Sequence, residues 1–218
     1  MNTRHHVIDL KNWERTATFL GFKNFDFPYL VVGCDLEITE ALAYWKSQKR
    51  SPYLCMVYAV CRAANAVPAF RQRILGNSVI EYETAHANFT EPKGESSFTI
   101  RLQAFQDDFV AFYESVEALD TLLEINPGDS IHTNDYWIFM SCLPWLNFNH
   151  VVQPTTRQNG SIPRIIWGKF TTTTTTTSDK VLLPMSVQVH HSLVDGLHVA
   201  QFFQNLELMF KHPTKYFS

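Results

Sequence analysis

Between Met185 and Phe210 the spacing of apolar residues changes from every second position to a helical period, and the change falls on a pair of histidines. Side chains alternate along a strand, so Met185, Val187, Val189 and His191 share one face, while Ser186, Gln188 and His190 share the other. From Asp195 the pattern becomes that of a helix, with Val199, Phe202, Phe203, Leu206 and Phe210 on one stripe. Asp195 suits a helix start, because its carboxylate accepts the unpaired backbone N–H groups and complements the dipole. A strand that runs directly into an amphipathic helix calls for a fold in which helices cover a sheet. His191 stands in phase with the apolar row at the strand's end, with apolar walls on one side and an opening on the other.

The remaining chain supplies the other elements of such a layer. Asp9 to Leu20 reads as an approach segment followed by a short helix, and Phe25 to Leu36 as a strand. Thr39 caps a helix running to about Ser47. Pro52 opens a second helix to about Ala66 whose apolar residues nearly surround its axis, which predicts burial, and Pro68 stops it. Ser78 to Thr90 gives one or two strands, and Ser96 to Ala104 alternates Phe98, Ile100 and Leu102 against polar neighbours. Asp107 to Leu123 returns to helical spacing through Phe109, Phe112, Val116, Leu119 and Leu123, before a turn at Pro127-Gly128. Tyr136 to Phe148 is strand-like and Gln158 to Ser161 a loop. Arg164 to about Thr174 and Val181 to His191 are paired by a hairpin near Ser178-Asp179. The seven threonines at 171–177 favour a strand arm of that hairpin, because threonine has high strand propensity. These elements predict one α+β domain over residues 1–218, a two-layer sandwich with a mixed sheet.

Charge excludes several partners. The formal net charge is -3 and no Lys/Arg run forms a phosphate-tracking stripe, so no nucleic acid is expected. The polar start is not a secretory signal, and the longest apolar stretch, Leu54 to Val60, is far short of a membrane span. Cys34, Cys55, Cys61 and Cys142 fit neither a redox pair nor a zinc site and read as reduced, mostly buried thiols. These features place the chain in the cytoplasm.

Spacing alone leaves His191 open between a packed histidine and a functional one. His190, His191, Asp195 and His198 also resemble a set of metal ligands. Adjacent strand residues point to opposite faces, however, so His190 and His191 do not easily reach one ion, and no metal site is expected.

His190-His191-x-x-x-Asp195-Gly196 resembles the signature of the CoA-dependent acyltransferases, and the longer string from Leu183-Pro184 to Val199 resembles the chloramphenicol acetyltransferases of type A. Lys11-Asn12-Trp13 with Arg15 and Phe19, Pro68-Ala69-Phe70-Arg71, and Ser141-Cys142-Leu143-Pro144-Trp145 resemble three further stretches of that family in the same order. The resemblance implies acetyl-CoA as co-substrate without a permanently bound cofactor, a small-molecule acceptor, and a homotrimer with active sites between subunits. It implies His191 as general base, held in its tautomer by its own backbone carbonyl. Ser141 becomes the oxyanion donor, Asp195 and Arg15 a structural ion pair, and Lys49 and Lys169 lysines that approach CoA. Phe22, Tyr29, Leu30, Ile166 and Phe170 are candidates for the acceptor pocket, and Trp145 for wall and core.

The chain also departs from the family pattern. Ile166 stands where members carry a Thr, Phe170 where they carry a Tyr, and Phe22 where a drug-binding Tyr lies. These departures remove hydroxyls near the reaction centre and bear on the acceptor rather than on the acetyl donor. The same mechanism on another alcohol or an amine, and a non-catalytic ligand-binding relative, are the competing expectations.

Overall fold

The structure, a computed structural model, describes residues 3–94, 97–118, 134–156, 160–174 and 179–218. Its strands are β1 (His5–Val7), β2 (Tyr29–Glu37), β3 (Gln72–Leu75), β4 (Ser78–Tyr82), β5 (His86–Lys93), β6 (Ser97–Gln103), β7 (Trp137–Leu143), β8 (Arg164–Gly168), β9 (Thr171–Thr174) and β10 (Asp179–His190). The helices are α1 (Thr16–Phe22), α2 (Thr39–Ser47), α3 (Pro52–Asn65), α4 (Pro68–Arg71), α5 (Phe109–Glu117), α6 (Gly196–Lys211) and α7 (Pro213–Tyr216).

Seven strands form a mixed sheet in the order β2-β10-β8-β7-β5-β6, with β9 also paired to β10. The pairs β5–β7 and β7–β8 are parallel, whereas β10 runs antiparallel to β2, β8 and β9. The strands β1, β4 and β3 make a small separate sheet. One face of the large sheet carries the main core, where Val187, Val189, Ile165, Trp167, Ile138, Met140, Ala87 and Phe89 pack with α2, α3, α5 and α6. This is the predicted α+β layering with a mixed sheet.

The opposite face is polar. Its rows read Thr90, Ser141, Ile166, Ser186, Gly33 and, two residues along, Asn88, Phe139, Arg164, Gln188, Val31. Ser186 Oγ accepts from Val151 N at 3.0 Å and Gln188 Oε1 accepts from Gln153 N at 2.7 Å. Two side chains spaced by two thus hold an extended segment over β10 where a layer of helices would otherwise lie. Gly33 and Gly168 admit that segment, since a Cβ on Gly33 would stand 1.6 Å from Asn149 O and one on Gly168 2.5 Å from Leu146 O.

Several boundaries differ from the sequence reading. The second strand begins at Tyr29 rather than Phe25, and the strand-like run from Tyr136 ends at Leu143. Ile38, not Thr39, occupies the N-cap of α2, because the Thr39 hydroxyl accepts from Val181 N at 3.0 Å instead. Ser51 caps α3 and Pro52 fills its first turn. Pro68 ends that run but opens the single turn of α4. Arg164 to Thr174 is two strands: Met185 opposes Trp167 while Leu182 opposes Thr171, so three residues, Gly168 to Phe170, face two, Leu183 and Pro184. This bulge fits Pro184, which has no N–H for the ladder. Thr171–Thr174 do form the predicted hairpin arm against β10. Leu119, Leu123, Pro127-Gly128, Gln158 and Thr175 to Ser178 lie outside the described residues. Of the cysteines, all free, Cys55 and Cys61 are buried as expected, whereas Cys34 is exposed and Cys142 half-buried.

Candidate active site

The chain leaves the sheet at His190, and His191 is the first residue beyond it. Its backbone N–H continues the pairing to Pro28 O at 2.7 Å. The chain then turns back, with Leu193 N and Val194 N both donating to His190 O at 3.0 Å. That turn brings the Val194 carbonyl to 3.1 Å from His191 Nδ1. A carbonyl only accepts, so the proton sits on Nδ1 and Nε2 keeps its lone pair. The partner is a backbone carbonyl rather than a carboxylate, as expected, but it is Val194's and not the histidine's own. The Phe22 ring lies 4.4 Å from the imidazole, centroid to centroid, and tilts 42° to it.

His190 faces the other way. Its Nδ1 is 2.7 Å from Ser192 Oγ and its ring meets Tyr29 edge-on at 5.7 Å. Burial, helped by the neighbouring His191, pushes its pKa down to about 4, so it is neutral at physiological pH. The two rings have separate surroundings, as the alternation of strand side chains requires.

Asp195 is the N-cap of α6 and accepts from Leu197 N at 3.1 Å. Its other oxygen accepts from Arg15 Nη1 in a short ion pair. Arg15 is in turn the N-cap residue of α1, the helix that ends at Phe22. Burial works to raise the Asp195 carboxyl, but the Arg15 hydrogen bond and the neighbouring His198 and Arg15 charges outweigh it and hold it below the usual range. The carboxylate is therefore engaged by α1 and by its own helix, not by His191.

Ser141 lies on β7, where its Oγ is 3.0 Å from Thr90 Oγ1 on β5. Neither spacing nor composition identified Thr90, because parallel pairing of distant strands leaves no local pattern. Ile166 is its register neighbour on β8, buried and on the same face. Through that row Ser141 aligns with Ser186, five residues before His191 on β10 and two strands away. At ~3.3 Å per residue and ~4.8 Å per strand the two Cα atoms are ~19 Å apart. No single reaction centre within one chain reaches both.

The remaining candidates separate. Tyr29 shares His190's face and lines a cleft of about 650 Å³ with Lys23, Asp26, Ser161 and His190. Leu30 opposes Val189 and packs on the main core, and so does Phe170. Phe170 is displaced from Ile166's face because the bulge inserts one residue and reverses the alternation. Neither Leu30 nor Phe170 joins Ser141's face. Trp145 is not core: it is 72% exposed. Lys169 is exposed in the bulge, and Lys49 follows α2 in a left-handed turn at φ 56°.

The chloramphenicol acetyltransferase family profile matches residues 1–207. The chain is 30% identical over 210 residues to chloramphenicol acetyltransferase 2 of Escherichia coli, covering 93% of this chain and 95% of that protein. It is 27% identical over 184 residues to a chloramphenicol acetyltransferase of Bacillus pumilus, covering 82% and 81%. A solved chloramphenicol acetyltransferase superposes with a TM-score of 0.84 at 26% identity, over 95% of this chain and all of that one (100%). A dihydrolipoamide acetyltransferase of Azotobacter vinelandii shares the fold at a TM-score of 0.68 and 14% identity, over 93% and 89%. With its histidine turn, capped helix and mixed sheet all found in this context, the chain belongs to the chloramphenicol acetyltransferase family.

Proposed function

We propose that the chain is an acetyl-CoA-dependent O-acetyltransferase acting on a hydroxyl of chloramphenicol, with His191 as general base. The observation that carries this reading is the Nδ1–Val194 carbonyl bond, which leaves Nε2 as the proton acceptor. Nε2 takes the acceptor's hydroxyl proton as its oxygen attacks the thioester carbonyl carbon. The tetrahedral oxyanion takes a hydrogen bond from Ser141 Oγ. Thr90 supports this role: its hydroxyl is within hydrogen-bonding distance of Ser141 Oγ, and a proton given from Thr90 leaves the serine's own for the oxyanion. Collapse breaks the C–S bond, and the imidazolium returns the proton to the leaving thiolate, giving the acetyl ester and CoA.

Ser141 and His191 act together only if they come from different chains, and a homotrimer with its sites between subunits provides this. Exposed Trp145, Leu146, Val152 and Phe27 give apolar surface for such contacts. Phe22 forms the wall beside the base and Ile166 the wall beside Ser141, while Lys49 and Lys169 approach CoA. Residues 1–218 act as one domain. No helix among the described residues is long and apolar enough to cross a membrane, and we place the enzyme in the cytoplasm. The test is a thiol-release assay with acetyl-CoA and chloramphenicol: turnover lost in His191→Ala supports the reading. Turnover only on another alcohol or amine replaces chloramphenicol as the acceptor. Ligand binding with no turnover on any acceptor makes the chain a non-catalytic relative.

A further inference from the structure

The polar face that carries Ser141 also holds Arg164, two residues before Ser141's neighbour Ile166 on β8. Arg164 is 6% exposed. Its guanidinium lies 4.7 Å over the Phe139 ring and within electrostatic reach of the Tyr29 phenol, and no carboxylate pairs with it among the described residues. Its Nε is buried without a partner. Two more buried donors stand nearby without acceptors. Asn88 Nδ2 belongs to the same row, one strand beyond Phe139, and Gln153 Nε2 belongs to the residue bonded to Gln188, Arg164's other neighbour. A desolvated guanidinium is costly unless an acceptor, best an anion, meets it. An orphaned guanidinium nitrogen, with further orphaned donors on either side of it along the row and no paired carboxylate, makes a place for an oxygen-rich, negatively charged group.

We infer that Arg164, flanked by Asn88 and Gln153, is an oxyanion-recognition point in the acceptor pocket, so that alcohols bearing a carboxylate or comparable anion are acceptors of this enzyme alongside chloramphenicol. The inference rests on the acyl-transfer reading for its chemistry, and it names the substrate class. The Cα atoms of Arg164 and Ser141 are ~8 Å apart, two residues along and one strand over. An acceptor of one aromatic ring spans from a hydroxyl beside Ser141 to an anion on the guanidinium. Planar bidentate pairing with a carboxylate is what an arginine offers there and a lysine does not.

The test compares 4-(2-hydroxyethyl)benzoate, its neutral benzamide analogue and chloramphenicol as acceptors with acetyl-CoA, on the wild type, Arg164→Gln and Asn88→Asp. Binding of the benzoate without acetyl-CoA is measured by calorimetry in parallel. The wild type is expected to favour the benzoate over the benzamide in kcat/KM by about tenfold or more, a charged hydrogen bond's share. That ratio collapses by about the same factor in Arg164→Gln, and Asn88→Asp lowers it by repulsion. The benzoate Kd rises in step. Equal use of the two analogues, or a ratio unmoved by either variant, overturns the inference while leaving chloramphenicol turnover, and with it the acyl-transfer reading, intact. Loss of the oligomer in Arg164→Gln, seen by size-exclusion chromatography, also overturns it, because the guanidinium then belongs to a subunit contact. If no acceptor is turned over, the acyl-transfer reading fails, and the calorimetric comparison alone decides whether the anion point exists.

Discussion

The imidazole of His191 rests against the ring of Phe22, and Phe22 closes the helix whose N-cap residue, Arg15, is held by Asp195. The ion pair thus reaches His191 through a helix and a ring, not through a proton. Replacing His191 with Ala or Gln is expected to lower kcat by roughly 10²–10⁴-fold, the range of a general base. His190→Ala should cost far less, since its ring faces Tyr29 and Ser192. Steady-state rates of the two variants at saturating acetyl-CoA check this, and an active His191→Ala protein would refute the assignment.

Arg15→Ala and Asp195→Ala should each destabilise the protein by about 2–3 kcal/mol, below the value for a fully buried pair because a third of Asp195 meets solvent. Their effects should be non-additive in a double-mutant cycle. Asp195→Asn keeps a cap and a hydrogen-bond acceptor for Arg15, and part of the activity should survive. A folded Asp195→Asn protein as inactive as His191→Ala would restore the carboxylate to the proton path.

Ser141→Ala should reduce kcat about 10²-fold with KM little changed, because the oxyanion forms only in the transition state. Thr90→Val should reduce kcat by a smaller factor, and the double variant should be no worse than Ser141→Ala. An additive pair would mean that the Thr90–Ser141 bond does not orient the serine proton.

His190 ties stability to pH. Its folded pKa of about 4 lies below the unfolded value of about 6.5. Protonation therefore favours the unfolded chain, and stability is full above pH ~6.5 and lost as the pH falls toward 4. The loss amounts to about 3 kcal/mol. Urea midpoints measured between pH 7 and 4.5 should fall along that slope, and His190→Gln should flatten it.

The Gly33→Ala Cβ would meet Asn149 O at 1.6 Å and the Gly168→Ala Cβ would meet Leu146 O at 2.5 Å. Each should cost on the order of 1–3 kcal/mol, with Gly33→Ala the larger, as the segment over the polar face is pushed away. Thermal denaturation of the two variants orders them.

What the sequence conveyed was local. The switch of period at the histidines placed β10, the cap at Asp195 and the face of His191, because each depends on neighbours within one turn or one strand. Strand order is not local. That Ser141 pairs beside Thr90 and stands far from His191 follows from two parallel pairings with no trace in the spacing. Tyr29 stands beside His190 because its register against that residue fixes its face, which spacing alone does not give. Phe170 parts from Ile166's face for a subtler reason: alternation from Ile166 holds until one extra residue opposite Leu183-Pro184 reverses it.

The ~19 Å between Ser141 and His191 across the sheet has a genetic meaning when sites form between subunits. On the roles proposed above, a mutant lacking His191 and one lacking Ser141 fail for different halves of the same centre. Expressed together, they assemble mixed oligomers in which about a quarter of the junctions unite an intact serine with an intact histidine. Two defective alleles of this gene should therefore complement one another, whereas either allele alone cannot.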